Sequence, residues 1–125
     1  FYILECLNIY ILEYSNIYMR EIYNLHAEMC KVFSNPIRIE ILNLLRDKEM
    51  SVTELINKSK LSQANISQHL SIMKSKGIVS SKRNGKNIYY KLTNPKITRA
   101  FDIIREGLSE RLEKNNKIFK EAIIR

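Results

Sequence analysis

The chain has 125 residues, 45% of them hydrophobic, and a formal net charge of +8. That is length for one domain and enough apolar material for a core, though a small helical domain often completes its core by dimerising. Its two cysteines, Cys6 and Cys30, do not make a disulfide framework. No uncharged apolar run reaches the ~18 residues of a membrane-spanning helix, and with no secretory n-region the cytoplasm is the expected compartment.

Residues 1–18 are strongly apolar and aromatic, with only Glu5 and Glu13 charged. Three readings stay open for them: an extra helix packed on a partner subunit, an over-extended start ahead of Met19, or a membrane-surface helix. The last lacks basic flanks. From 20 to 33, Ile22, Leu25, Met29, Val32 and Phe33 recur at helical spacing. Asn35 then fits an N-cap and Pro36 the first position of a second helix, to about Arg46, with Ile37, Ile41, Leu44 and Leu45 inward. Ser51 and Glu54 match a capping box at the start of a third helix, whose apolar residues are Val52, Leu55 and Ile56. Lys58–Leu61 is a turn. Ser62 caps a fourth helix that runs to about Lys76 and stops at Gly77.

After Gly77 the period changes from helical to alternating. Residues 78–83 and 87–92 read as two strands joined by a two-residue Asn84-Gly85 turn, since both positions tolerate positive φ. Thr93-Asn94-Pro95 caps a last helix with an apolar stripe of Ile97, Phe101, Ile104, Leu108 and Leu112. Asn115-Asn116 are a candidate interruption, after which Ile118, Phe119, Ala122 and Ile123 continue an apolar face.

Residues 55–101 hold ten Lys or Arg and no carboxylate, +10 against +8 for the whole chain. Such a surface attracts polyanions, of which nucleic acid is the densest common one. The same stretch contains two helices, a short turn and a basic hairpin, the plan of a helix-turn-helix with a wing. On the fourth helix Ile66, Leu70 and Met73 form a buried stripe. Gln63, Ala64, Asn65, Ser67, Gln68 and Ser71 lie away from it, short enough to enter a major groove and, as amides, able to bond adenine in bidentate fashion. Lys74 and Lys76 at its far end, Lys58 and Lys60 in the turn, and Arg83 and Lys86 at the hairpin tip are suited to phosphates.

The segments FSNPIRIEILNLL and SVTELINKSKLSQANISQHLSIMKSKGIVSSKRNGKNIYYKL resemble the ArsR/SmtB family of winged helix-turn-helix repressors, over roughly residues 20–112. The fold class expected is mainly α with a small β-hairpin: an apolar N-terminal extension (1–18), a winged helix-turn-helix with dimerisation helices (19–112), and a helical tail (113–125). The resemblance implies a homodimer that binds an inverted-repeat operator on double-stranded DNA and leaves it on a signal. It places the DNA-reading positions on Ser62, Gln63, Asn65, Ser67 and Gln68. It places the dimer interface on the first and last helices, in agreement with the stripe Ile97, Phe101, Ile104, Leu108 and Leu112.

The departures from that family concern its metal sites. Where metal-sensing members carry Cys-x-Cys, this chain reads Glu54-Leu55-Ile56-Asn57-Lys58. Asp102 is present, but residues 97–125 contain no His, so neither familiar site can be built. No cofactor is expected. His26 and Cys30, at i and i+4, remain the candidates for a metal or thiol sensor, set against Cys30 as a small buried hydrophobe. His69 reads as a core or boundary histidine, and Tyr89 and Tyr90 as one core and one partly exposed ring. There is no Gly-rich phosphate loop and no catalytic set, so no enzyme is expected. The rival readings are a winged module that uses its basic face on protein or RNA, and a regulator anchored to a membrane by residues 1–18.

Overall fold

The computed structural model describes residues 2–124; Phe1 and Arg125, and the side chains of Tyr2, of Phe119 and Ile123 in the expected apolar tail, and of Ile124, lie outside the described residues. The chain divides into two compact units, Phe1–Ile39 and Glu40–Arg125.

The first unit is dominated by α1, Tyr2–Phe33. The apolar extension and the amphipathic segment from 20 to 33 are one uninterrupted helix, with no break at 18 or 19. Nothing in the sequence between them stops a helix, since neither Gly nor Pro occurs before Pro36. Val32 is buried, whereas Ile22, Leu25 and Met29 are exposed. The capping expected at Asn35 is present: its Oδ1 accepts from the backbone N–H of Ile37 (2.9 Å) and of Arg38 (3.3 Å). This starts α2, Pro36–Leu44.

The second unit carries α3 (Val52–Ser59), α4 (Gln63–Ser75) and α5 (Lys96–Ile124), with a sheet of β1 (Met50–Ser51), β2 (Val79–Asn84) and β3 (Asn87–Leu92). The sheet order is β1-β3-β2, antiparallel throughout. The hairpin was expected; β1 was not, because two residues show no period. Its pairing, Met50 with Tyr90 and Ser51 with Tyr89, sets α3 directly onto the wing sheet. It also explains why Tyr89 and Tyr90 are both half-buried rather than one inside and one out.

The core of this unit is apolar: Ile41, Leu42, Leu55, Ile66, Leu70 and Met73 are fully buried, with Ile78 and Val79 nearly so. α3 packs on α4, and α4 on β2. Two expected boundaries shift. The hairpin turn is Gly85-Lys86, because Asn84 pairs with Asn87 as the last rung. Only Gly85 there has positive φ (+64°), so Asn84 remains in the strand. Asn115-Asn116 do not interrupt α5, which runs through them to Ile124.

Candidate nucleic-acid interface

The helix-turn-helix is built by local hydrogen bonds that follow from its serines. Ser51 caps α3: its Oγ accepts from the Glu54 N–H at 3.2 Å. At the other end Ser59 Oγ donates to Leu55 O (2.7 Å) and accepts from the Leu61 N–H (3.2 Å). Lys60 turns the chain in the left-handed region, φ 63° and ψ 16°, and its N–H reaches Ile56 O at 2.9 Å. Ser62 then caps α4 by accepting from the Asn65 N–H at 3.2 Å. Its hydroxyl therefore already has a structural task, which the other four expected base-reading positions do not share.

α4 divides as its sequence requires. Ile66, Leu70 and Met73 are fully buried. Gln63, Ala64, Asn65, Ser67, Gln68 and Ser71 are exposed along the remaining surface. His69 is half-buried at the boundary. Gly77, at φ +72°, ends the helix, with its N–H on Lys74 O (3.0 Å) and that of Ile78 on Met73 O (2.9 Å). Thr93 closes the base of the wing: Oγ1 lies 2.7 Å from Gly77 O and 2.9 Å from Ile78 O, and its N–H donates to Ile78 O at 3.1 Å.

Lys58, Lys60, Lys74, Lys76, Arg83 and Lys86 are all exposed, the first two around the turn and the last two at or beside the hairpin tip. Lys82 and Lys91 are exposed on the wing as well. They belong to the same cationic run, and by alternation and cross-strand register they lie on the hairpin face opposite Arg83. Among the described residues none of the ten cations of 55–101 is held in an ion pair; the pairs present are Lys31–Glu28, Arg46–Asp102 and Arg105–Asp102. The positive field of this face is therefore not neutralised from within.

Of the stripe expected on α5, Ile104, Leu108 and Leu112 are exposed. Ile97 is half-buried. Phe101 is only 7% exposed, so it serves this chain's own core and leaves little of itself to a partner. His26 and Cys30 are both exposed on α1, so Cys30 is not the buried hydrophobe of the alternative reading. Among the described residues no group of three or more His, Cys, Asp or Glu is placed to hold a metal ion. No helix among them is long and apolar enough to cross a membrane.

Known proteins share this arrangement. The profile of the family described as bacterial regulatory protein, arsR family, matches residues 35–81. The transcriptional repressor PagR of Bacillus anthracis is 40% identical over 72 residues, 57% of this chain and 72% of PagR. The crystal structure of Rv0081 from Mycobacterium tuberculosis superposes with a TM-score of 0.66 at 33% identity, covering 75% of this chain and 95% of that one. The homodimeric winged helix-turn-helix DNA-binding domain of Mb0332 from Mycobacterium bovis gives 0.66 at 26% identity, over 76% of this chain and 88% of that domain. With the capped helix pair, the polar face of α4 and the basic hairpin in place, the chain belongs to the ArsR family of bacterial regulatory proteins, with the winged helix-turn-helix fold.

Proposed function

We propose that the chain is a dimeric, sequence-specific regulator of transcription that occupies an inverted-repeat operator on duplex DNA and represses until a signal releases it. One observation carries this reading: a polar ridge on α4, anchored by three fully buried side chains, stands inside a cationic surface with no internal counter-charge. Gln63, Asn65, Ser67 and Gln68, with Ser62 at the helix start, read base edges in the major groove. Lys58, Lys60, Lys74, Lys76, Arg83 and Lys86 hold phosphates and fix the register. The exposed Ile104, Leu108 and Leu112 of α5 meet a second copy, a reading supported by the homodimeric relative. Two-fold symmetry then sets half-sites on the order of 34–36 Å apart.

A regulator of this kind works in the cytoplasm, beside the chromosome, and needs neither a reaction nor a bound cofactor. A metal or thiol signal, where one acts, would be read at His26 and Cys30, the exposed pair on α1. The test is a duplex-DNA titration at several salt concentrations with random duplex as competitor. A retained complex on the operator, with affinity falling steeply in salt, is the expected result. Equal loss to random duplex refutes sequence-specific recognition.

A further inference from the structure

The wing hairpin carries cations on both of its faces. Val79, Ser81 and Arg83 of β2 share one face with Leu92, Tyr90 and Ile88 of β3. Ser80, Lys82 and Asn84 share the other with Lys91, Tyr89 and Asn87. The first face is the inner one: Val79 is buried, and α4 packs on β2. Arg83 therefore stands on the side of the hairpin where α4 lies, and Lys82 and Lys91 stand on the side turned away from it.

On that outer face Lys82 is directly across from Tyr89, and Lys91 is the next residue of β3 on the same side. Two exposed cations thus flank one half-buried ring at the spacing of diagonal neighbours. The nearest carboxylates along the chain are Glu54 and Asp102. A surface kept only for solubility mixes both signs of charge, as α5 does from Asp102 onward. The outer face has one sign. It is also held in place, since Ser51 of β1 pairs with Tyr89 and Thr93 ties the end of β3 to Ile78.

From this arrangement we infer that the outer face of the wing is a second phosphate-binding surface, which takes the DNA flanking each half-site. This rests on the DNA-binding reading above and lengthens the duplex it requires. A duplex held by α4 meets the inner face and the tip of the hairpin, where Arg83 and Lys86 are. The same phosphates cannot reach the outer face, because the strand pair stands between. Phosphates that reach Lys82 and Lys91 lie beyond the hairpin, further along the duplex from the groove that α4 fills. Such contacts read no base edge; flanking sequence enters only through how easily the DNA curves around the hairpin. The flank of a duplex already bound is favoured over a second duplex, because its phosphates are held close at high effective concentration. An acidic protein segment is the poorer occupant, since the face offers it little apolar surface to bury beyond half of Tyr89.

The probe is a site selected by the parent chain from a pool of random duplexes and used at two lengths. One ends at the outer edges of the two half-sites; the other adds about ten base pairs of arbitrary sequence, roughly one helical turn, on each side. The parent should bind the longer duplex on the order of tenfold more tightly at low salt. Its slope of log affinity against log salt should steepen by up to about four units, one for each Lys82 and Lys91 of two copies. Lys82→Ala with Lys91→Ala should lose that gain and match the parent on the short duplex. Lys82→Arg with Lys91→Arg should keep it, which separates a lost charge from a damaged wing. Equal loss on both lengths places the lysines inside the half-sites and overturns the inference, and no loss on either length overturns it as well. A complex that holds two long duplexes per dimer overturns the assignment to flanking DNA. If any of these happens while the parent still prefers the selected site to random duplex, the proposed function stands and this inference alone falls. A pool that yields no preferred site refutes the function, and the inference with it.

Discussion

Arg46 and Asp102, 56 residues apart in sequence, form a two-pronged pair: Nη2 donates to Oδ1 at 2.7 Å and Nη1 to Oδ2 at 3.0 Å. The planar guanidinium matches the carboxylate, so the pair fixes an orientation as well as a distance. Asn43 Oδ1 receives the rest of the network, accepting from Arg46 Nε (3.1 Å) and Nη2 (2.8 Å) and from Arg105 Nη1 (3.1 Å). The end of α2 is thereby tied to the first turns of α5. In this chain Asp102, the residue that resembles part of a metal site elsewhere in the family, is a partner of arginine.

The hydrogen bonds from Arg46 hold the Asp102 carboxyl below the ordinary aspartate range, against a smaller opposing effect of burial. A carboxyl depressed in the folded state adds stability above its unfolded pKa, and that stability is lost as pH falls through the folded value. Asp102→Asn should therefore lower Tm at neutral pH. The gap to the parent should close as pH drops below about 4, where the unfolded carboxyl takes up its proton. Thermal melts across pH measure this, and a gap that stays constant into acid contradicts it.

At the wing, Arg83→Ala and Lys86→Ala should weaken binding to operator and random duplex alike. Each phosphate contact removed should flatten the slope of log affinity against log salt by about one unit. Fluorescence anisotropy over a salt series reads both numbers. An unchanged slope assigns these cations no phosphate.

On α4 the expectation is reversed. Gln63→Ala or Gln68→Ala should narrow the gap between operator and mismatched sites by about 1–3 kcal/mol for each good base contact, with little change in salt slope. Competition against a panel of single-base operator variants locates the base each one reads. Uniform weakening on every sequence would make the side chain a positioning contact.

Lys60 holds a left-handed φ of 63°, the one non-glycine residue described in that region. A side chain there strains the backbone by about 1 kcal/mol, which glycine relieves in part. Lys60→Gly should raise unfolding stability by up to about 1 kcal/mol and, as a lost phosphate contact, lower DNA affinity. Opposite signs in denaturant titration and DNA binding separate the strain from the charge. A variant less stable than the parent contradicts the strain.

The architecture of the candidate interface was legible because its signals are local. Ser51, Asn35 and Ser62 cap the helices they were expected to cap, and Ile66, Leu70 and Met73 point where their spacing sends them. What was not legible depends on pairing across the chain. β1 exists only because Met50 and Ser51 lie against Tyr90 and Tyr89. The turn moved by one residue because the rung Asn84–Asn87 outweighs the left-handed tolerance of Asn84. Phe101 continues the stripe of Ile104 and Leu108 by spacing, yet it turns inward, a choice that helical period alone cannot make.

Thr93 gives the hairpin an attribute that matters for how a signal could act. Its bonds to Gly77 and Ile78 fasten the outgoing strand to the place where the incoming strand leaves α4, while β1 secures the opposite edge. A lever fastened this way has no joint of its own. Under the proposed function, a signal that frees the protein from DNA should tilt α4 and the hairpin as one piece, keeping the tip as ordered as before while the two copies of α4 change their separation.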